Sequence, residues 1–422
     1  MQSLFSWMTS KTKPRLAIAK ASHSPHSLAL YRALRNTRDT QHPISLQIYL
    51  PSCQTPCSCC TTTTPRVASL ASSHDYLQAL KNELTLIASQ LSQHNVIKQL
   101  EIHGSSHFLS LAQLGELMGF IEQKLCLQAD FFNDYHLTLD PARYDWGDIS
   151  KLHQLGFNHV TFGINLNDHS GLNPLRHVRR LIEAARTFQF RSIGCQIFYP
   201  QYDSKLANWQ PLLDELSWLM PDRLQFIAQT ATANAELSVS PYLSGALSTF
   251  TAADYTHLGN GQFSLGDDDL TIAYEEGFLA HAEQGYTAHQ KSYQIGVGVG
   301  AVTRIQQFEG ANTSSMAHYL ALSLTPQLSI TRTQPLTSGE QYQADLQQAW
   351  LCQYQLTLTQ LQHAFTPAQS TAYYQLMQHL TLLSEAQLVN LTDQRCTLTA
   401  TGRLIALPLW QSIAAYLPVN TH

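Results

Sequence analysis

From Ile44 onward the chain alternates short apolar runs with longer amphipathic ones. The strand-like runs are ISLQIYL (44–50), QLEIH (99–103), YHLTLD (135–140), HVTFGIN (159–165), RSIGCQIFY (191–199) and RLQFIAQ (223–229). Between them lie SHDYLQALKNELTLIASQL, SLAQLGELMGFIEQKL, GDISKLHQLG, RHVRRLIEAARTF and WQPLLDELSWL, each with apolar residues at the i, i+3, i+4, i+7 spacing of a helix face. Repeated strand–helix alternation predicts parallel strands joined by right-handed crossovers, hence an α/β barrel or open sheet. Functional groups then belong in the loops after the strands' C-terminal ends.

The pattern loosens at TATANAELSVSPYLSGALSTF, which reads as a long loop or changeover. Beyond it come YTHLGNGQFSL, a helix around DDDLTIAYEEGFLAHA with Asp267, Asp268 and Asp269 at its N-terminus, and the glycine-rich run QIGVGVGAV. That run lacks the strand–turn–helix context of a dinucleotide site, so packing accounts for its glycines. From about Ser315 the chain reads as mostly helical, ending in helix, two short strands and helix, a winged-helix-like unit. Residues 1–43 read as a loosely structured lead-in with a short helix near Ser27–Arg35. The expected organisation is an N-terminal extension (1–43), a partial barrel and its continuation (44–310) and a helical C-terminal domain (311–422).

Length and charge narrow this further. A chain of 422 residues has room for two or three domains. Charged residues make up only 13% and the formal net charge is −5, which argues against coiled-coil, disordered and nucleic-acid-binding classes. No apolar run approaches the ~20 residues of a membrane span, and the N-terminus lacks the apolar stretch of a secretory signal. A cytoplasmic location is the expectation.

The eight cysteines are unevenly placed. Cys126, Cys195, Cys352 and Cys396 are scattered and read as small apolar core residues. Cys53, Cys57, Cys59 and Cys60 crowd the loop after the first strand, where a functional group belongs. Cys53, Cys57 and Cys60 give the spacing C-x3-C-x2-C. Three thiolates so spaced can hold three irons of a 4Fe–4S cube and leave the fourth open. A zinc site on all four cysteines, or unligated thiols, remain the alternatives; the spacing favours iron.

PSCQTPCSCC, DYLQALKNEL, IKQLEIHGSSHFLSLAQLGELM, LDPARYD, LHQLGFNHVTFGIN, LIEAARTFQFRSI and MPDRLQFIAQ resemble, in order, the barrel of the oxygen-independent coproporphyrinogen III oxidase family of radical S-adenosylmethionine enzymes. LGNGQFSLGDDDLTIAYEEG, HAEQGYTAHQKSYQIGVGVGAV and LTATGRLI resemble that family's C-terminal region, so the likeness runs from about 44 to 415. It implies a partial (β/α)6 barrel with a mostly helical, winged-helix-like C-terminal domain. It implies a 4Fe–4S cluster on Cys53, Cys57 and Cys60, with S-adenosylmethionine as radical source. The implied reaction is oxidative decarboxylation of coproporphyrinogen III to protoporphyrinogen IX in haem biosynthesis, with a tetrapyrrole substrate and an electron donor that the sequence does not identify.

The sequence departs from the family at the cofactor positions. The first-strand Tyr is Gln47, the aromatic before the third Cys is Cys59, and the Gly-Gly-Gly-Thr-Pro stretch is His103-Gly104-Ser105-Ser106-His107. The strand-three Glu is Thr138 and the strand-five Asp is Gln196; an Arg is replaced near Pro174, and no N-terminal lid segment matches. Only the three cysteines and Asn165, as a shortened Gln, carry over as site residues. His103 and His107 read as positions that drifted to polar residues rather than as a new ligand pair. Three functions follow: a radical enzyme with a loosened pocket, a non-catalytic relative that binds a cluster or tetrapyrrole for sensing or delivery, and a zinc-bound or metal-free remnant. The altered pocket argues against turnover.

Overall fold

Parallel strands with one polar and one apolar face dominate the first half of the chain. A computed structural model describes residues 25–38, 40, 42–51, 72–127, 133–166, 174–200, 209–229, 239–282, 285–289, 292–335 and 337–418. In chain order the elements begin with α1 (Pro25–Asn36), β1 (Ile44–Tyr49), α2 (Ser73–Ala88), β2 (Val96–His103), α3 (Leu111–Lys124) and β3 (Cys126–Leu127). There follow β4 (Asp134–Leu139), α4 (Trp146–Gln154), β5 (His159–Asn165), α5 (Pro174–Thr187), β6 (Ser192–Pro200), α6 (Trp209–Leu219), β7 (Arg223–Gln229), α7 (Pro241–Ala252), β8 (Thr256–Gly259), β9 (Gln262–Ser264) and α8 (Asp269–Glu275). Two short strands, β10 (Ala280–Ala282) and β11 (Gly285–Thr287), precede β12 (Tyr293–Gly298), β13 (Val302–Ile305), β14 (Phe308–Asn312), α9 (Met316–Ser323) and β15 (Ile330–Pro335). The chain ends with α10 (Ser338–Gln348), β16 (Gln355–Thr357), α11 (Leu358–His363), α12 (Ser370–Glu385), β17 (Val389–Leu391), β18 (Arg395–Leu398), α13 (Ala400–Arg403) and α14 (Ala406–Ala414).

The described residues of Lys20–Phe198 and Lys291–Pro335 form one compact unit, and those of Tyr199–Gln290 and Leu336–His422 another. In the first, β12, β1, β2, β4, β5 and β6 lie side by side, all parallel, in the order β12-β1-β2-β4-β5-β6. This is the partial parallel barrel that the alternation predicts. Antiparallel β13, β14 and β15 extend it beyond β12. Side chains alternate across a strand, and here the alternation is chemical. Leu46, Ile48, Leu100, Ile102, Leu137, Leu139, Val160 and Phe162 are buried apolar residues. Ser45, Gln47, Gln99, Glu101, His103, His136, Thr138 and Thr161 occupy the intervening positions. Strands covered on both faces are ordinarily apolar throughout, so the polar face marks a barrel interior built for hydrogen bonds.

The expected short N-terminal helix is present as α1 and is tied down: His26 Nδ1 lies 2.6 Å from Thr333 Oγ1, and Ser27 Oγ donates to Leu328 O at 3.2 Å. One expectation needs correction. The segment TATANAELSVSPYLSGALSTF is not loop throughout. Its second half is α7, started by the Ser240 cap on Tyr242 N with Pro241 at the first helical position, and it buries Leu243, Ala246 and Phe250. The glycine-rich run is itself a barrel strand, β12, paired with β1.

In the second unit β7 and β8 both pair antiparallel with β9. Asp268 caps α8 and takes Arg223 at 2.8 Å, in line with the expected helix N-terminus. Toward the C-terminus, β16, β18 and β17 make a three-stranded antiparallel sheet against α12, α13 and α14, with Trp350, Leu376, Leu380 and Leu409 in its core. The helix–strand–strand–helix ending has the expected winged form, with β16 as an added third strand.

Candidate functional site

The site forms where β1 and β2 end together. Leu50 N donates to His103 O at 2.8 Å, and Ser105 N to Pro51 O at 3.2 Å. Gly104 makes this turn at φ +88; a Cβ there would stand 2.1 Å from Leu50 O, so only glycine fits. The chain then enters 52–71, which holds Cys53, Cys57, Cys59 and Cys60 and lies outside the described residues, as does Thr61–Thr64.

The described chain resumes at α2, which starts at its Ser72 cap. Tyr76 OH donates to Tyr49 O at 2.5 Å and accepts from Val299 N at 2.9 Å. One face of α2 carries both Tyr76 and Glu83, seven residues apart. Glu83 is 3% exposed and accepts from Gly298 N (2.9 Å), Asn312 Nδ2 (2.8 Å) and Tyr319 OH (2.7 Å). Burial pushes its carboxyl up to about 7, against the pull of these donors. Burial likewise lifts the Tyr76 and Tyr319 hydroxyls, which stay protonated.

Inside the barrel five side chains of β1 and β2 close a ring. Gln47 Nε2 donates to Ser45 Oγ (2.6 Å), Ser45 Oγ to Gln99 Oε1 (2.8 Å), and Gln99 Nε2 to Glu101 Oε1 (2.6 Å). His103 Nε2 lies 3.3 Å from Glu101 Oε2 and is hydrogen-bonded to Gln47 Oε1, which completes the circuit. Two acceptors at Nε2 place the proton there. Burial, and secondarily His136, push the His103 imidazolium down to about 3, so the contact with Glu101 is a neutral N–H on a carboxylate rather than an ion pair. The ring of Tyr49 packs against the imidazole with centroids 4.9 Å apart. Deeper in the barrel, His136 Nε2 meets Thr161 Oγ1 at 2.8 Å, and His159 Nδ1 lies 3.1 Å from Asp134 Oδ1.

The other sequence-predicted residues can be placed. Asn165 ends β5, half-buried and in register with Phe198. Gln196 is buried on β6 opposite Gly163, and Thr138 pairs in register with Thr161. His107 is placed beside Ser105: both its ring nitrogens lie within 3.2 Å of Ser105 Oγ. Among the described residues no group of three or more His, Cys, Asp or Glu is placed to hold a metal. Of the scattered cysteines, Cys195 and Cys396 are buried as expected and Cys352 is half-buried. Cys126 is exposed, on the two-residue strand β3, so the core reading fails for it. Sequence reasoning passed over Ser45, Gln99, Glu101, His136 and Glu83. The signal for the first four was a polar residue at every second position of ISLQIYL, IKQLEIH and YHLTL.

No protein-family profile matches the chain. Among known proteins, it is 29% identical over 408 residues to the oxygen-independent coproporphyrinogen III oxidase of Pseudomonas aeruginosa, covering 92% of this chain and 88% of that protein. The enzymes of that name from Escherichia coli and Salmonella typhimurium are each 23% identical, covering 90% of this chain and 87% of theirs. The structure of coproporphyrinogen III oxidase from Escherichia coli, described as a radical SAM enzyme, matches with a TM-score of 0.78 over 100% of this chain and 99% of that one, at 20% identity. The sheet is accordingly of the radical-SAM partial-barrel type. No helix among the described residues is long and apolar enough to cross a membrane. The chain is thus similar along nearly all of its length to oxygen-independent coproporphyrinogen III oxidases, and it has the fold of the one from Escherichia coli.

Proposed function

We propose that this chain is an iron–sulfur protein that holds its cluster on Cys53, Cys57 and Cys60 and does not turn over S-adenosylmethionine. The donor set suits the cluster: three thiolates at this spacing match three irons of a 4Fe–4S cube, whose chemistry is one-electron transfer. A tetrapyrrole is the ligand class that the relatives support, for binding or delivery in the cytoplasm. Asn165, at the end of β5, would meet such a ligand only as a shortened amide.

S-adenosylmethionine does not fit the mouth. Its ammonium needs a carboxylate, and β4 offers Thr138. The nearby carboxylate of Glu101 is already engaged by Gln99 and His103. Ser105 Oγ faces His107, and the His103 imidazole stands where the family's glycine leaves backbone open. The closed ring of Ser45, Gln99, Glu101, His103 and Gln47 is the observation that carries this reading. It satisfies its own polar groups, so a cofactor would have to break several buried hydrogen bonds, at about 1–3 kcal/mol for each group left unpaired.

Anaerobic reconstitution tests the proposal. The expected product has about four irons and four sulfides per chain, the number a 4Fe–4S cube requires. Cys57→Ala should abolish its brown chromophore. With dithionite and S-adenosylmethionine, 5′-deoxyadenosine should stay at the background of a protein-free control. Stoichiometric zinc without iron would overturn the cluster. Turnover of coproporphyrinogen III at the rate of an intact relative would favour the second reading, the family's own decarboxylation, which rests on the extent of the similarity.

A further inference from the structure

Arg403 ends α13, and its Cζ lies 4.0 Å from the centre of the Tyr354 ring. Tyr354 OH donates to Leu258 O on β8 at 2.7 Å, and Asn260 N donates to Arg403 O at 2.8 Å. Asn260 Oδ1 accepts from Leu407 N at 2.7 Å, so the turn between β8 and β9 is fastened to the corner between α13 and α14. His257 precedes Leu258 on β8, and its ring stacks on Phe263 with centroids 4.8 Å apart. All of these residues belong to the second unit.

This corner carries a charge that nothing around it offsets. Arg403 Nε and His257 Nε2 are buried and have no hydrogen-bond partner among the described residues. No carboxylate among the described residues makes an ion pair with Arg403. Its charge acts on His257, Tyr286 and Tyr354. Burial, and secondarily Arg403, push the His257 imidazolium down to about 4, so at pH 7 the ring is neutral and has one proton to donate. His257, Asn260 and Arg403 are only half-buried, so the corner reaches solvent.

We propose that Arg403 and His257 form a binding site for the carboxylate of a small organic ligand. A guanidinium presents its N–H groups as a fork that matches the two oxygens of a planar carboxylate. His257 Nε2–H donates to one of the same oxygens. One positive charge among buried tyrosines balances a monoanion, whereas a phosphate dianion would bring a second, uncompensated charge into apolar surroundings. Tyr354 and Phe263 hold the two donor groups from behind, so both are oriented before the ligand arrives. The carboxylate belongs either to a free organic acid or to a propionate side chain of a tetrapyrrole; both offer the same group. Neither the barrel nor the cysteines take part, so the site stands or falls independently of the cluster proposed above.

Propionate is the probe. The full chain, with histidine labelled by 13C at Cε1, is titrated with sodium propionate at pH 7 and followed by proton–carbon NMR. His257→Gln identifies the His257 signal; if that variant does not fold, the Overhauser contact of the ring with Phe263 identifies it in the wild-type chain. The expected result is a saturating shift of that signal with propionate that sodium chloride at equal ionic strength does not produce. Arg403→Lys keeps the charge but loses the fork, and should weaken binding about tenfold. Coproporphyrin III added to the propionate-bound protein separates the sources: displacement assigns a tetrapyrrole propionate, and retention assigns a free organic acid. Tighter binding of inorganic phosphate than of propionate would overturn the carboxylate assignment. A His257 signal that does not saturate, or that saturates equally well in Arg403→Lys, would remove the site and leave Arg403 as a packing partner of Tyr354.

Discussion

Glu83 on α2 and Tyr319 on α9 are 236 residues apart in sequence and share a buried hydrogen bond of 2.7 Å. With Gly298 N and Asn312 Nδ2 on the same carboxylate, this joint holds α2, which follows the cysteine loop, against β12 and β14. The Glu83 carboxyl is raised from 4.5 to about 7, so between those values the folded chain binds a proton that the unfolded chain releases. Stability from this group is therefore full below about pH 4.5 and falls as pH rises through 7, by an amount on the order of 3 kcal/mol.

Glu83→Gln is expected to remove that slope. The protonated acid has a single O–H, which the Tyr319 hydroxyl can accept. The amide NH2 brings a second hydrogen that meets the donors Gly298 N and Asn312 Nδ2, so the variant should be less stable at pH 5 by about 1–3 kcal/mol. The deficit should shrink at pH 8, where the wild-type carboxylate bears its charge unfavourably. Urea midpoints at both pH values measure it. A gap of constant size would show that the proton is not linked to folding.

Gly298 closes the other side of the same joint at φ +110, where an added Cβ would lie 2.4 Å from Tyr49 O and 2.7 Å from the Tyr76 hydroxyl. Gly298→Ala should cost several kcal/mol through backbone strain and loss of the Tyr76 contacts. Gly266→Ala, where a Cβ meets nothing within 4 Å, is the matched control and should stay within about 0.5 kcal/mol. Thermal unfolding of the two variants compares them directly. Equal melting temperatures would mean that the end of β1 yields to accommodate the methyl group.

These two residues also show where sequence reading reached its limit. Strands and helices of the barrel were legible because period-2 and period-3.6 patterns are local properties of segments such as ISLQIYL and HDYLQALKNEL. Glu83 was not: one acid on an amphipathic helix reads as solvent-facing, and its partners come from residues 298, 312 and 319. Gln47 was legible as a departure at the cofactor position. Its bond to His103 was not, because cross-strand neighbours follow from register, which pairs Tyr49 with His103 and Gln47 with Glu101. The helix at Pro241–Ala252 was hidden by its serines and threonines, although Ser240-Pro241 is a capping signal.

Trp350 tests the C-terminal core. It is fully buried and its Nε1 donates to Ala406 O at 3.0 Å, tying the segment after α10 to the start of α14. Trp350→Ala should cost about 3–5 kcal/mol, and Trp350→Phe about 1–3 kcal/mol, the latter chiefly by stranding the Ala406 carbonyl. Guanidinium denaturation followed by circular dichroism reports both. Similar losses for the two would assign the whole effect to the hydrogen bond rather than to volume.

The departures at the mouth can also be reversed together. His103→Gly removes the imidazole and breaks the ring, releasing Glu101 and Gln47 from their shared proton. Thr138→Glu then places a carboxylate on the inner face of β4 for an ammonium to meet. Each change alone leaves one obstacle: the single glycine variant lacks a counter-charge on β4, and the single glutamate variant still has the imidazole in the way. The double variant should therefore bind S-adenosylmethionine at least tenfold more tightly than the product of the single effects, a coupling of about 1.4 kcal/mol or more. Equilibrium dialysis under anaerobic conditions measures it, with cluster content matched between variants by iron assay. If the unaltered chain already binds S-adenosylmethionine as tightly as the double variant, the ring of β1 and β2 side chains is no barrier. The radical chemistry of the family would then be open to this protein.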